Sequence, residues 1–166
     1  MKYLILICTV LFSLCSCSDT ELSKDVQKSK ITAVAHYDVT TKADNAALAK
    51  NQLLFTGDDI AWFDSDSREI KFTTIKPEPF SIPMYAQIDI KLEDETLFTI
   101  VAHINNAVSR AYDDLVLFYD LETSKYYLYD NYPAYWSPET TEINRQNRQI
   151  NWNKFLEQLK GEGRLK

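Results

Sequence analysis

Ile31, Ala33, Ala35, Tyr37 and Val39 alternate with Thr32, Val34, His36 and Asp38. A period of two predicts a strand with one buried face. Thr40 to Asn51 is rich in Ala and Lys without a clear period and reads as a loop with at most a helical turn, whereas Gln52 to Phe55 reads as a short strand. Thr56-Gly57-Asp58-Asp59 has the form of an N-cap followed by acids that complement a helix dipole. Ile60, Trp62 and Phe63 are therefore expected to bury one side of a single helical turn. Ser65-Asp66-Ser67 predicts a turn and Glu69 to Thr73 a strand. Pro77, Pro79 and Pro83 make the next segment a loop or a sheet edge, because proline cannot donate to a ladder.

Two hairpins follow. Tyr85 to Leu92 and Thr96 to Ile104 flank Glu93-Asp94-Glu95, and pairing Leu92 with Thr96 puts Ala86, Ile88, Ile90, Phe98, Ile100 and Ala102 on one face. The other face, with Tyr85, Gln87, Asp89, Lys91, Thr99 and His103, is suited to water. Leu115 to Asp120 and Lys125 to Asp130 flank the second turn; pairing Asp120 with Lys125 gives Leu115, Leu117, Tyr119, Tyr126 and Leu128 on one face and Val116, Phe118, Tyr127 and Tyr129 on the other. Both faces are apolar or aromatic. This hairpin is therefore either covered on both sides or presents aromatic surface to something.

Ser137-Pro138 predicts the start of a helical region. At 100° per residue Ile143 and Ile150 share one side, while Trp152, Phe155, Leu156 and Leu159 cluster on the opposite side. One straight helix does not bury both stripes, so a break is expected near Asn151, with a final helix from Trp152 to Lys160 stopped by Gly161. Strands followed by helices predict an α+β domain: an antiparallel sheet of about five to six strands with C-terminal helices packed on one face.

Composition narrows the chemistry. The chain has 166 residues with 18 Lys+Arg, 24 Asp+Glu, three Cys, two His and three Gly; average usage of about 7% would give roughly a dozen glycines. Gly57, Gly161 and Gly163 cannot build a dinucleotide fingerprint, a phosphate-cradling loop or a nucleophile elbow.

Met1 to Ser16 carries Lys2 and then an apolar run from Tyr3 to Leu14, too short to span a bilayer and suited to the core of a signal peptide. Leu14-Cys15-Ser16-Cys17 resembles the lipobox of bacterial lipoproteins. That resemblance implies cleavage before Cys17, which becomes a diacylated N-terminus carrying palmitate-type chains. Cleavage removes 16 of the 166 residues and leaves 150, with 17 basic and 24 acidic residues and a net charge of −7 once Lys2 is gone. The mature chain would keep no cysteine besides Cys17, so disulfides, a thiol nucleophile and a cysteine zinc site are excluded from it. Nucleic acid is disfavoured, since phosphate binding needs a basic stripe. The organisation read from the sequence is a signal peptide over residues 1–16, a lipidated tether over 17–30 and a single α+β domain over 31–166.

Candidate chemistry is sparse. His36 and His103 are the two imidazoles, which excludes a three-His or HExxH zinc site; each alternates onto the more polar side of its strand and is expected to be solvated or locally hydrogen-bonded. No metal and no cofactor is expected. Asp64-Ser65-Asp66-Ser67 opens like a calcium loop, but Arg68, Glu69 and Ile75 stand where an acid, the turn glycine and the closing glutamate belong. Asp58-Asp59 and Asp113-Asp114 are paired acids suited to caps and turns. From Tyr126 to Trp136 six of eleven residues are Tyr or Trp. Tyr127, Tyr129, Tyr132, Tyr135 and Trp136 are the candidate ligand-binding aromatics, because exposed rings stack on sugar faces and donate hydroxyls at the rim. Tyr126, Tyr127 and Tyr129 also suit cross-strand packing, with Tyr132-Pro133 anchoring the turn into the helix.

The lipobox, with Thr56-Gly57-Asp58-Asp59-Ile60, Arg68-Glu69-Ile70 and Asp130-Asn131-Tyr132-Pro133, is similar to segments of small lipoproteins of Bacteroidetes-type bacteria that have no known reaction. The resemblance implies an outer-membrane protein held by its N-terminal lipid and facing the periplasm or the cell surface. The function expected is a non-catalytic ligand- or partner-binding module, its partner a glycan or an envelope protein. The alternative is a glycan-binding accessory or a carbohydrate-active enzyme.

Overall fold

A computed structural model describes residues 28–36, 51–73, 87–104 and 110–166. The signal peptide, Cys17, most of the tether, the 40–50 loop, the Pro77–Pro83 segment and the strand positions Tyr37, Val39, Tyr85 and Ala86 lie outside the described residues. The elements are β1 (Ile31–His36), β2 (Asn51–Thr56), a 3-10 turn (Gly57–Asp59), β3 (Ile60–Phe63), β4 (Glu69–Phe72), β5 (Gln87–Leu92), β6 (Glu95–Ile104), β7 (Val116–Asp120), β8 (Lys125–Tyr129) and α1 (Pro138–Gly161).

The strands form one eight-stranded sheet in the order β2-β1-β5-β6-β7-β8-β4-β3. Its neighbours are antiparallel except β6 and β7, which run parallel, with Val101 opposite Val116 and Ile104 opposite Tyr119. This corrects the expected antiparallel sheet of five to six strands with several helices: the sheet is mixed, larger and nearly closed on itself, and among the described residues it carries one α-helix. Alternation has the same period in either strand direction, so the pattern of apolar positions could not distinguish the parallel pair. Ile60 to Phe63 is a strand, not a helical turn. The cap signal before it is real but short-lived. The Asp59 carboxylate accepts from the Thr56 backbone N–H at 2.7 Å and from its hydroxyl at 3.0 Å, and closes only the three-residue turn.

That turn joins the two end strands, β2 and β3, and draws the ends of the sheet together. Phe55 of β2 meets Phe72 of β4 edge-to-face at 5.0 Å, and the Thr73 N–H donates to the Asp59 carbonyl at 2.8 Å. The outer edge of β3 is taken by the chain end, where Phe63 forms a parallel bridge with Leu165. The core fills the concave side with Ile31, Ala33, Ala35, Ile88, Ile90, Ile100, Leu115, Leu117 and Leu128 among others.

The second hairpin keeps its expected register throughout, whereas the first keeps it inside the strands but not at the expected Leu92–Thr96 pair, since Thr96 lies opposite Lys91. Ile90 faces Phe98 and Ile88 faces Ile100, as the Leu92–Thr96 pairing requires; a bulge after Ile90 then brings Leu92 opposite Glu95 at the turn. Asp120 pairs with Lys125.

The helix is continuous, and the expected break near Asn151 is absent. Its Phe155 packs edge-to-face on Phe63 of β3 at 6.1 Å and on Phe98 of β6 at 5.5 Å, so the helix bridges the mouth of the curled sheet. The Asn151 side chain donates to the Leu97 carbonyl at 2.8 Å and fastens the helix where the break was expected. Ile143 and Ile150 stay 57% and 75% exposed. Leaving two isoleucines in water costs less than breaking the backbone ladder of a 24-residue helix. Beyond Gly161, Gly163 takes the left-handed conformation and the Arg164 N–H returns to the Leu159 carbonyl at 2.8 Å.

Candidate functional site

Four of the six rings from Tyr126 to Trp136 are engaged with other rings. Tyr126 belongs to the concave core, 5.2 Å from Phe72 and 4.7 Å from Tyr119. Tyr127 and Tyr129 point to the convex face and stack on each other at 5.2 Å with planes 7° apart. At that spacing the two rings are offset-stacked, and both are half-buried. Phe118 continues the layer, 5.7 Å from Tyr129 and 4.9 Å from Tyr132, and His103 completes it at 4.6 Å from Tyr132 and 5.5 Å from Tyr112. The two apolar faces of the second hairpin therefore have two covers: the main core, and a smaller aromatic layer on the outside.

His103 sits in that outer layer at 2% exposure, not in water as its alternation suggests. Burial lowers its pKa from the ordinary histidine value. His36 is half-exposed and bonds Asp89 at 2.8 Å.

Tyr135 and Trp136 differ from the other rings. They are 82% and 47% exposed, and among the described residues neither has a ring partner. The loop that carries them is nevertheless built. The Asn131 amide donates to the Trp136 carbonyl at 2.8 Å and to the Ala134 carbonyl at 3.2 Å. The Trp136 N–H donates to the Pro133 carbonyl at 2.8 Å, and Tyr132 exchanges two backbone hydrogen bonds with Tyr112. The Tyr132–Pro133 peptide is cis.

A charged cluster supports this loop from below. Asp130 accepts from Arg68 Nη2 at 2.6 Å and Arg148 Nη2 at 2.5 Å, with Arg145 Nη2 at 3.4 Å. Arg148 also bonds Asp114, and Arg145 bonds Glu142 at 2.7 Å. Arg68 donates from Nε to the Leu128 carbonyl at 2.9 Å, and its guanidinium lies 4.4 Å from the centre of the Trp152 ring. Burial lowers the Arg68 pKa, and the neighbouring Asp130 opposes that shift. Sequence reasoning did not find this cluster. A signal existed in Arg148, which shares the inward stripe of Trp152, Phe155 and Leu159 at helical spacing, where an arginine needs a partner.

Asp64 and Asp58, two further acids from the sequence reading, have structural roles. Asp64 accepts from the Asp66 and Ser67 N–H groups at 2.9 Å each, an Asx turn, and these bonds hold its pKa below the usual value. Asp58 accepts from the Ser29 N–H and from Arg164, both at 3.1 Å. Among the described residues no group of three or more His, Cys, Asp or Glu is placed to hold a metal ion, and no described helix is long and apolar enough to cross a membrane. A groove of about 170 Å³ opens between β4 and β8, with the Lys125–Glu69 ion pair at 2.9 Å on its wall. It falls short of the roughly 300 Å³ at which small-molecule sites begin.

Comparison with protein-family models, curated proteins and solved structures found no match.

Proposed function

We propose that this chain is a lipid-anchored, non-catalytic binding module of the bacterial cell envelope. It is held through Cys17 at the outer membrane and meets its ligand or partner through Tyr135 and Trp136. The observation that carries the reading is the contrast within one aromatic run: four rings are packed, and two are exposed on a loop whose backbone is fixed by Asn131. A pre-ordered loop with exposed aromatics loses little entropy on binding. One acid of each pair has a structural role: Asp59 holds the Thr56 turn, and Asp114 holds Arg148 and the Leu115 N–H.

Cell fractionation of wild-type and Cys17→Ser chains tests the anchor. Wild-type protein is expected in the outer-membrane fraction with acyl mass on Cys17, and Cys17→Ser protein is expected to lose both. Retention of Cys17→Ser in the membrane would overturn the proposed attachment.

A further inference from the structure

Tyr135 and Trp136 together expose roughly 300 Å² at most, taking their stated exposures and the usual size of these side chains. Each partner of a stable protein–protein interface buries about 800 Å², so the two rings are too small to anchor one alone. They suit a flat ligand that stacks on one ring at a time. The charge around them is mixed and largely paired: exposed Glu142 is bonded by Arg145, exposed Asp113 is tied to α1 only through its carbonyl, by Asn144 at 2.9 Å, and the arginines beneath the loop, Arg68, Arg145 and Arg148, each have a carboxylate partner. With those cations occupied, and in a chain of net charge −6, the loop is not backed by an open cationic patch that would favour a polyanion.

The surface also lies at the far end of α1 from the place where the proposed tether meets the domain. Ser29, within the last residues of that tether, donates from its hydroxyl to Glu162 at 2.8 Å, at the C-terminal end of α1. Trp136 lies just before the N-terminal end of that 24-residue helix, about 36 Å away at 1.5 Å per residue. We infer that Tyr135 and Trp136 form a binding surface for a neutral saccharide chain, presented at the end of the domain remote from Ser29, where the proposed tether joins it. This rests on the anchored binding-module reading and names its ligand class. Each ring stacks on the apolar face of a sugar, and the Tyr135 hydroxyl and the Trp136 indole N–H bond hydroxyls at the rim.

Full-length lipidated protein in detergent, run through native gels containing neutral β-glucan, α-glucan, mannan or the acidic polymer galacturonan, tests this. Retardation by at least one neutral polymer is expected, with none by galacturonan. Trp136→Ala and Tyr135→Ala should each weaken the apparent affinity about tenfold or more. Trp136→Phe should retain most of it, and Ile150→Ala should not change it; near-ultraviolet circular dichroism verifies that each variant is folded. Lack of retardation by every neutral polymer, retardation by galacturonan alone, or binding unchanged in Trp136→Ala would each overturn the saccharide assignment. A photo-crosslinker at position 135 that captures an envelope protein while the neutral polymers fail would overturn it too, and would leave the anchored-module reading standing. Failure of the Cys17→Ser fractionation test would instead remove the reading beneath it.

Discussion

Arg148 Nη2 meets the Asp130 carboxylate at 2.5 Å directly below the loop that carries Trp136. Arg148 is 8% exposed, so its charge is neutralised at close range and not by solvent. Removing one partner of such a pair leaves the other buried and uncompensated. Asp130→Asn is expected to destabilise the domain by about 2–4 kcal/mol in urea unfolding. In a double-mutant cycle with Arg148→Met, a coupling above about 1 kcal/mol is expected. Simple additivity would show that the contact contributes nothing.

His103 makes stability depend on pH in a defined direction. Its folded pKa lies below the ordinary value of about 6.5 that it has when unfolded. As pH falls through 6.5 the unfolded chain takes up the proton first, so stability drops from there down to the folded pKa and is unaffected above. Urea midpoints between pH 7.5 and 5 should fall for the wild type. His103→Phe keeps the aromatic layer and should flatten that part of the profile; an unchanged slope would place its origin elsewhere.

Gly57 is sterically required. A Cβ at this position would stand 1.9 Å from Ser29 Oγ and 2.8 Å from Ser29 Cβ. Gly57→Ala should cost about 1–3 kcal/mol through displacement of the β1 entry, measured as a fall in Tm. Adding Ser29→Gly removes both clashing atoms and should recover part of the loss, although it also gives up the hydroxyl bond to Glu162.

The helix gives a contrast between its two stripes. Ile143→Gln and Ile150→Gln should each change stability by no more than about 0.5 kcal/mol, because both side chains are largely in water. Phe155→Ala should cost about 3–5 kcal/mol, since its ring joins the two limbs of the sheet. A large effect at Ile150 in urea unfolding would mean that this face is covered in solution.

Local pattern and long-range closure were legible to different degrees. Alternation placed β1, β5, β6, β7 and β8, and the turns between Leu92 and Thr96 and between Asp120 and Lys125 set their registers within the strands. Both depend on neighbours in sequence. The parallel β6–β7 pair, the near-closure of the sheet and the role of Phe155 depend on residues far apart in the chain. Periodicity carries no information about them. The helix was misjudged for a related reason: two apolar stripes were each assumed to require burial, whereas Ile143 and Ile150 remain exposed. At the candidate site the aromatic run was visible in the sequence, but not its division. Tyr129 and Tyr132 are half-buried because Phe118 and His103 lie within reach across the sheet, and Tyr127 stacks on Tyr129. Tyr135 and Trp136 lie beyond β8 on a loop that Asn131 turns outward.

The most direct test of the account is site-specific photo-crosslinking on intact cells, with benzoylphenylalanine at position 135 and, in a separate strain, at position 150. Adducts at position 135 well above those at position 150 are the expected result, because binding is assigned to the loop and not to the exposed helix face. Equal labelling at both positions, or none at position 135, would contradict it.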